Sequence, residues 1–368
     1  MTDTILTAKE QYIYSLRKLY SRFGYIPYRM GKFEEYDLYA RNKDFLISDA
    51  VITFTDTNGK LMALKPDVTL SIIKNNRALG GRTEKLFYNE NVYRVSKGTN
   101  SFREIMQAGV ECIGDIDSYS IGECLYLAAE SLSHYRYADN FVLNVSSLDI
   151  LMSVVGNITE DRGIQNEIIR CVSEKNTHEI IRICKENDID PALFEPLIRL
   201  LSSYGKAQDV MPAVIGLCAE INEEEKAEEL SRAISVFEGS PLFDHINIDF
   251  SVVSDHNYYN GVIFKGYVPN VPGAVLSGGQ YDKLMRKMHR KSRAVGFAVY
   301  LDMLDYGESG AYDVDILLLY DENTKPRVLR EAIKKLSDGG ETVRALRQKD
   351  EKLRCKKLLR LMPTGEII

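Results

Sequence analysis

Residues Glu84 to Gly114 decide the fold, and they read EKLFYNENVYRVSKGTNSFREIMQAGVECIG. The residues of Glu104–Gly114 alternate in character, and a strand places residues i, i+2 and i+4 on one face. Gln107, Gly109 and Glu111 share the polar face. This pattern has two interpretations, an edge strand with a solvated polar face or a strand that lines a small polar pocket. The opposite, apolar face consists of Met106, Ala108, Val110 and Cys112.

Composition and charge argue against several classes of protein. The chain has 368 residues, which is enough for two or three domains. Its 47 basic and 53 acidic residues give a net charge of -6, which argues against unaided nucleic-acid binding. No apolar run approaches the length of a membrane span, and the N-terminus MTDTILTAKEQYIYSL lacks the features of a secretory signal. We therefore predict a cytoplasmic protein with no membrane or nucleic-acid partner.

The cysteines and histidines form no pattern that is typical of a metal site. No two of the six cysteines form a CxxC pair, and no two of the five histidines stand four residues apart. Scattered cysteines of this kind indicate reduced thiols without a disulfide framework. We accordingly predict neither a metal ion nor a cofactor.

The N-terminal part of the chain predicts a mixture of helices and paired strands. Thr57-Asn58-Gly59 is a hairpin turn signal between two short strands. The predicted elements are a helix over 7–23, the hairpin strands Ala50–Thr55 and Lys60–Leu64, a helix over Val68–Arg77, the strands Leu86–Val95 and Glu104–Ile113, and a helix over Tyr119–Arg136.

A helical insertion is predicted between about residues 150 and 245. Thr159–Phe237 has helical periodicity throughout and contains no strand signal. Strands resume at Ile246 and again over Tyr258–Val268. A glycine-rich turn follows, then a helix from Tyr281, and Gly296–Leu304 is predicted to be a further helix.

The last segment predicts a short α/β unit. It comprises a strand at Val314–Leu319, a helix at Arg327–Leu336, a strand at Thr342–Ala345 and a basic helix at Lys349–Leu361. Two strands make a poor sheet, so we expect this unit to lean on the main domain or on a partner. The predicted domains are therefore 1–310, with the helical insertion, and 311–368.

Five motifs, in order, resemble the histidyl-tRNA synthetase family over roughly residues 5 to 310. They are LMALKPDVT from Leu61, VYRVSKGTNSFREIMQAGVECIG from Val92, NYYNGVIFKGYV from Asn257, SGGQYDKL from Ser277 and AVGFAVYLDML from Ala294. The resemblance implies an α+β fold, with the antiparallel sheet of a class II aminoacyl-tRNA synthetase flanked by helices. It also implies that the C-terminal α/β segment is a truncated anticodon-binding domain.

The family's amino-acid pocket is largely present in this chain. The resemblance implies that Asp67 and Thr69 grip the α-amino group of histidine, because they match the family's glutamate and threonine. The remaining residues of the implied pocket are Gln107, Glu111, Tyr258, Tyr259 and Tyr281. A carboxylate suits an ammonium group, and a glutamate also suits an imidazole N–H.

The family's arginines that handle ATP are mostly absent. Arg94 matches the arginine that holds the α-phosphate, but Ser96 replaces the glutamate that reads adenine. Serine, glutamine and methionine replace three further arginines, at Ser254, Gln280 and Met303. Phosphoryl chemistry depends on positioned cations, and loss of one such donor costs about 10²–10³ in rate. We therefore predict almost no adenylation and assign no catalytic residue.

This profile resembles the regulatory subunits of ATP phosphoribosyltransferase, a branch of the family without aminoacylation activity. The resemblance implies a dimer that binds histidine and joins a short catalytic subunit at the first step of histidine biosynthesis. The alternatives are a working synthetase with divergent arginines and a paralogue with another task.

Individual residues also have structural interpretations. Gln107 and Glu111 are alternatively a hydrogen-bonded core pair. At least one of Tyr258 and Tyr259 is expected in the core, because adjacent strand residues face opposite ways. Arg94 binds a phosphate or pairs with Glu90, four residues earlier on the same strand face.

Overall fold

The computed structural model describes residues 6–42, 51–75, 83–96, 101–253, 258–307 and 312–368. Predictions for Ala50, for the end of the helix at residues 76 and 77, for loop residues 97–100 and for Ser254 lie outside them. The chain forms two compact units. The larger is Tyr12–Asp305, and the smaller combines Tyr306–Ile368 with the residues up to Gln11.

The described residues form helices α1 to α12 and strands β1 to β15. The helices are Ala8–Arg22, Tyr36–Ala40, Val68–Asn75, Ser118–Ser133, Leu148–Ile158, Arg162–Ser173, Thr177–Glu186, Pro191–Ser202, Ala207–Glu220, Glu224–Ile234, Asp282–Lys287 and Pro326–Ser337. The strands are Ile26–Pro27, Phe33–Glu35, Thr53–Thr55, Leu61–Leu64, Glu84–Val95, Phe102–Gly114, Val142–Ser147, Gly205–Lys206, Ile246–Ile248, Asn260–Tyr267, Leu276–Gln280, Arg293–Tyr300, Val314–Tyr320, Val343–Leu346 and Cys355–Leu361.

A nine-stranded sheet forms the centre of the larger unit, in the order β1-β5-β6-β12-β11-β10-β7-β9-β8. The six strands from β5 to β7 in this order are antiparallel to their neighbours. Only the pairs β1–β5 and β7–β9 are parallel. The predicted antiparallel sheet of a class II synthetase-like fold is confirmed.

Strand β6 lies inside this sheet, because β5 pairs with one of its edges and β12 with the other. The interpretation of β6 as an edge strand was therefore wrong. Ala108, Val110 and Cys112 on its apolar face are fully buried. Helix α4 packs against the same sheet, and Asp117 caps this helix by accepting a hydrogen bond from the Ser120 amide at 2.8 Å.

The polar side of β6 is the side that α3 and α11 cover. Leu70 and Ile72 of α3 pack in one buried cluster with Leu86 of β5 and Leu284 of α11. Leu86 is the direct cross-strand partner of Glu111, so the two side chains share a face. The cluster closes one end of this face and leaves Gln107 and Glu111 beside it.

The segment predicted as a helical insertion contains helices α6 to α10 and one short strand. Asp161, Asn176 and Asp190 cap helices α6, α7 and α8 by accepting hydrogen bonds from amides of the first turn. Residues Gly205–Lys206 instead form β8 and pair with β9. Helical periodicity did not reveal this strand, because two residues are too few to carry a periodic signal.

The prediction of a helix at Gly296–Leu304 was wrong. Arg293–Tyr300 is strand β12, which ends in a 3₁₀ turn at Leu301–Met303. The strand is an apolar run buried between β6 and β11. A continuous apolar run of this length fits a buried strand and a buried helix equally, so periodicity alone does not separate them.

The smaller unit contains a three-stranded parallel sheet in the order β14-β13-β15, with helix α12. The predicted basic helix at Lys349–Leu361 was wrong, because Cys355–Leu361 is strand β15. Two strands make a marginal sheet, and β15 supplies a third through main-chain pairing with β13. Its inward residues include Leu359 and the buried Leu361.

Candidate ligand-binding site

A cavity of about 350 Å³ opens above the polar face of β6. Its floor follows from strand register, since Gln107, Gly109 and Glu111 are the direct partners of Tyr300, Ala298 and Gly296. All eight residues that the sequence singled out for ligand binding line this one cavity: Asp67, Thr69, Arg94, Gln107, Glu111, Tyr258, Tyr259 and Tyr281.

Glu111 is the buried centre of the site. Its two carboxylate oxygens accept hydrogen bonds from Thr69 Oγ1 at 2.8 Å and from the Tyr281 hydroxyl at 2.5 Å. Burial raises the pKa of Glu111 to about 8, although both hydrogen bonds act in the opposite direction. Two donors therefore hold the carboxyl group, but their hydrogen bonds do not offset the cost of burying it as an anion.

Gly296 makes room for this carboxylate. A Cβ atom at Gly296 would lie 2.0 Å from Glu111 Oε2 and 2.5 Å from the Val110 carbonyl oxygen. No side chain fits at that distance. The glycine in the motif AVGFAVY is therefore required by the position of Glu111 on the neighbouring strand.

Asp67 directly precedes α3, where it caps the helix and lines the cavity. Its Oδ1 accepts a hydrogen bond from the Leu70 amide at 2.9 Å, so it caps the helix. Burial raises the pKa of Asp67, while the adjacent Arg94 guanidinium partly lowers it. Although Asp67 has a shorter side chain than the family's glutamate, it lines the same cavity as Glu111.

Tyr258, Tyr259 and Tyr281 form an aromatic wall. Ring centroids are 4.5 Å apart for Tyr258 and Tyr259, and 6.1 Å apart for Tyr258 and Tyr281. Both adjacent tyrosines line the cavity, because β10 begins only at Asn260 and strand alternation does not apply before it. Burial raises the pKa of all three phenols well above the ordinary value.

Sequence reasoning missed four polar residues of the cavity: Tyr88, Lys265, Ser277 and Tyr300. Tyr88 faces Gly109 across β5 and β6, and a Cβ atom at Gly109 would lie 2.6 Å from its hydroxyl oxygen. The space above Gly109 therefore admits this phenol. The signal was available in part, since a glycine between two polar positions indicates a bulky neighbour on the next strand.

Arg94 lines the cavity but does not pair with Glu90. Its Nε donates to the Pro66 carbonyl oxygen at 3.1 Å. Glu90 instead forms an ion pair with the buried Lys65, with 3.0 Å between Nζ and Oε2. The structural alternative for Arg94 was therefore wrong in its partner, and the guanidinium lies beside Asp67.

Two of the positions that replace family arginines have structural settings. Gln280 is buried, and its Oε1 accepts a hydrogen bond from the Val262 amide at 2.6 Å, beside an irregularity in β10. Met303 is 41% exposed at the end of β12's 3₁₀ turn. Neither side chain lines the cavity, so neither offers a cation substitute there.

The described part of the chain contains no group of three or more histidine, cysteine, aspartate or glutamate side chains arranged to hold a metal ion. No helix within it is long and apolar enough to cross a membrane.

Comparison with known proteins gives a consistent relationship. A sequence profile described as histidyl-tRNA synthetase matches residues 5–304. Among curated relatives, an ATP phosphoribosyltransferase regulatory subunit from Alkaliphilus metalliredigens (strain QYMF) is 28% identical over 289 residues. That alignment covers 76% of this chain and 72% of the relative.

Two solved structures share the fold. One is an ATP phosphoribosyltransferase regulatory subunit/histidyl-tRNA synthetase from Bacillus halodurans C, with a TM-score of 0.80 and 22% identity over 96% of this chain and 93% of that chain. The other is an ATP phosphoribosyl transferase (HisG:HisZ) complex from Thermotoga maritima, with a TM-score of 0.62 and 16% identity over 79% and 96%.

Proposed function

Because the chain belongs to the histidyl-tRNA synthetase family, we propose that its cavity binds histidine in the service of regulation and not of aminoacylation. The observation that carries the proposal is the buried Glu111, which Thr69 and Tyr281 hold at 2.8 and 2.5 Å. This constellation persists while the family's arginines at three ATP-handling positions are replaced. A pocket that keeps its amino-acid side while three of the family's ATP-handling arginines are replaced fits a sensor.

The chain is a non-catalytic regulatory subunit of ATP phosphoribosyltransferase, and its partner is the catalytic subunit. Curated relatives from several organisms carry that name, among them those from Alkaliphilus metalliredigens and Clostridium kluyveri. The Thermotoga maritima complex contains a structural relative of this chain. The pathway is histidine biosynthesis.

The α-ammonium group and the imidazole ring of histidine would each contact residues of suitable chemistry in the cavity. The half-buried Asp67 and the hydroxyl of Thr69 receive the α-ammonium group, for which a carboxylate is a strong acceptor. Glu111 and Gln107 face the imidazole, and the wall of Tyr258, Tyr259 and Tyr281 packs on the ring. Arg94 also lines the site as a phosphate contact, for which a phosphate competes with Asp67.

Assembly and location complete the proposal. We propose a homodimer through the synthetase-like core, which joins the catalytic subunit in a cytoplasmic hetero-oligomer. Residues 311–368 would be a shortened form of the family's anticodon-binding domain. Histidine regulates such an assembly only if it binds two arrangements of the complex with different affinity.

The test measures histidine and the partner together. The catalytic subunit from the same genome would be assayed alone and with this chain, across a histidine titration. We expect activation or stabilisation by the chain, inhibition by histidine only in the complex, and calorimetric histidine binding that Glu111→Gln removes. A complex that neither binds nor responds to histidine would refute the sensor.

A divergent histidyl-tRNA synthetase is the second candidate, favoured by the shared fold and by the cavity itself. Histidine-dependent exchange of pyrophosphate into ATP separates the two functions. We expect none, because the transition state would lack the cations that stabilise its charge.

A further inference from the structure

Lys265 is a cationic residue that lines the cavity and has no part in the histidine contacts proposed so far. It lies on β10, and its neighbours in sequence face the other side of the sheet. Phe264 packs on Phe297 with 6.3 Å between ring centroids, and a Cβ atom at Gly266 would meet Leu132 of α4 at 2.6 Å. Strand alternation therefore directs the Lys265 side chain into the cavity, whose wall it forms.

Lys265 stands at the opposite end of the cavity from β6. Gly109, Ala298, Ser277 and Lys265 are successive direct partners across β6, β12, β11 and β10. Three steps between strands separate the backbones of Gly109 and Lys265 by about 14 Å. The Glu111 carboxyl group and the Lys265 side chain thus line different ends of one cavity.

The Lys265 ammonium lacks a protein counter-ion among the described residues. A second cavity borders the same lysine, and its carboxylate Asp249 is already occupied. Asp249 accepts hydrogen bonds from Lys175 Nζ at 3.0 Å, from Asn144 Nδ2 at 3.2 Å and from Ser251. Burial lowers the pKa of Lys265, because desolvation disfavours its charged form. An anionic ligand would relieve that cost.

Arg94, the other cation of the cavity, is a poorer receptor for an anion. Its Nε is committed to the Pro66 carbonyl oxygen at 3.1 Å. It also lies close enough to Asp67 to lower the pKa of that carboxyl. An anion placed beside Arg94 would meet the negative charge of Asp67, whereas an anion at Lys265 would not.

We propose that Lys265 is the carboxylate subsite of this cavity and selects amino-acid zwitterions over amines. The proposal rests on the proposed histidine-binding function. The imidazole lies toward Glu111, the α-ammonium lies toward Asp67, and the α-carboxylate lies toward Lys265. The site therefore reads both charged groups of the amino acid, and neither a simple amine nor a simple anion supplies both.

The test is calorimetry on the full chain, alone and in complex with the catalytic subunit. Wild type, Lys265→Met and Lys206→Met would each be titrated with L-histidine, with histamine, which lacks the carboxylate, and with inorganic phosphate. Lys206→Met is the matched control, because it removes a lysine that is paired to Asp244 and lines neither cavity. Thermal unfolding verifies that each variant is folded.

We expect Lys265→Met to weaken histidine binding about 10- to 100-fold, which is the usual effect of losing one charge-assisted contact. Histamine affinity should change less than about twofold, and Lys206→Met should bind both ligands like wild type. A folded Lys265→Met that binds histidine like wild type would overturn the subsite alone. Equal losses for histidine and histamine would overturn it as well.

Two further outcomes distinguish a failure of the proposed function from a failure of the carboxylate subsite. If wild type binds no histidine in either form, the proposed function and the subsite fall together. If phosphate binding depends on Lys265 while histidine binding does not, the lysine holds a separate anion and the carboxylate assignment is wrong.

Discussion

The residues that bind the amino acid in the family are largely kept in this chain, whereas the residues that handle ATP in the family are mostly replaced. On the amino-acid side, Glu111 is buried and held by two hydroxyl donors at 2.8 and 2.5 Å. On the nucleotide side, Gln280 bonds to the Val262 amide, and Met303 is partly exposed. The residues of the amino-acid side still line one cavity, whereas Gln280 and Met303 do not line it.

The difference teaches how a synthetase-like fold loses chemistry without losing recognition. Recognition of a small ligand needs a few preorganised polar groups in a mostly formed pocket. Catalysis needs, in addition, cations placed where charge develops in the transition state. Replacing Gln280 and Met303 by arginine would thus not suffice, because their side chains do not face the cavity.

The largest effect should come from Glu111→Gln. The substitution preserves size but removes a carboxyl oxygen that would accept a hydrogen bond from an imidazole N–H or an ammonium group, and loss of such a contact costs about 3 kcal/mol or about 100-fold in affinity. Calorimetry with histidine measures it. Glu130→Gln on the exposed side of α4 serves as the control, and an unchanged affinity in folded Glu111→Gln would contradict the central role of this carboxylate.

Gly296→Ala should lower stability and weaken histidine binding, because its methyl group would clash with the Glu111 carboxyl group. Its Cβ atom would lie 2.0 Å from Glu111 Oε2, so the carboxylate or β12 must shift. We expect a loss of about 2 kcal/mol in the free energy of unfolding, with weakened histidine binding. Gly156→Ala in α5 is the matched control, because nothing lies within 4 Å of its Cβ position. Urea unfolding of both variants decides the matter, and equal stability would contradict the tight contact.

The stability of the unliganded protein should fall as the pH rises from 5 to 8. Burial raises the pKa of Glu111 from 4.5 to about 8, so the folded state retains a proton that the unfolded state releases. The stabilisation is complete below pH 4.5 and is lost as the pH passes 8, for a total on the order of 5 kcal/mol. Urea unfolding at several pH values should give a shallower slope for Glu111→Gln. The same slope in both proteins would place the titration elsewhere.

The smallest effects should come from restoring arginines on the nucleotide side. Gln280→Arg removes the acceptor of the buried Val262 amide and should cost about 1–2 kcal/mol in the free energy of unfolding. Met303→Arg, at a partly exposed position, should stay within about 0.5 kcal/mol. Neither variant, nor the two combined, should exchange pyrophosphate. Any histidine-dependent exchange would show that the nucleotide side is less altered than the comparison holds.

Much of the fold was predictable because local patterns and motif order agree. The alternation in Glu104–Gly114, the Asn58–Gly59 turn and the helical periodicity of the insertion each match elements of the structure. Two of the failures have one cause. Helices were predicted at Gly296–Leu304 and Lys349–Leu361, but strands lie there, because their hydrogen bonds go to strands that lie far away in sequence.

The site was predictable residue by residue only where a motif named the position. The motifs supplied the eight residues from Asp67 to Tyr281 that line the cavity. They did not supply Tyr88, which the cavity gains because it stands opposite Gly109. They also did not supply Lys265, whose importance arises from its place in a row that crosses four strands.

The sequence by itself determined the family, the order of the strands' motifs and the loss of three arginines, since these depend on which residues follow one another. Only the tertiary structure decided which side chains meet. It put the Glu111 carboxylate into the space that Gly296 leaves, and it aimed Lys265 at the far end of the cavity. The physical reason is that strand register brings together residues that are remote in the chain, and charge and volume act through space.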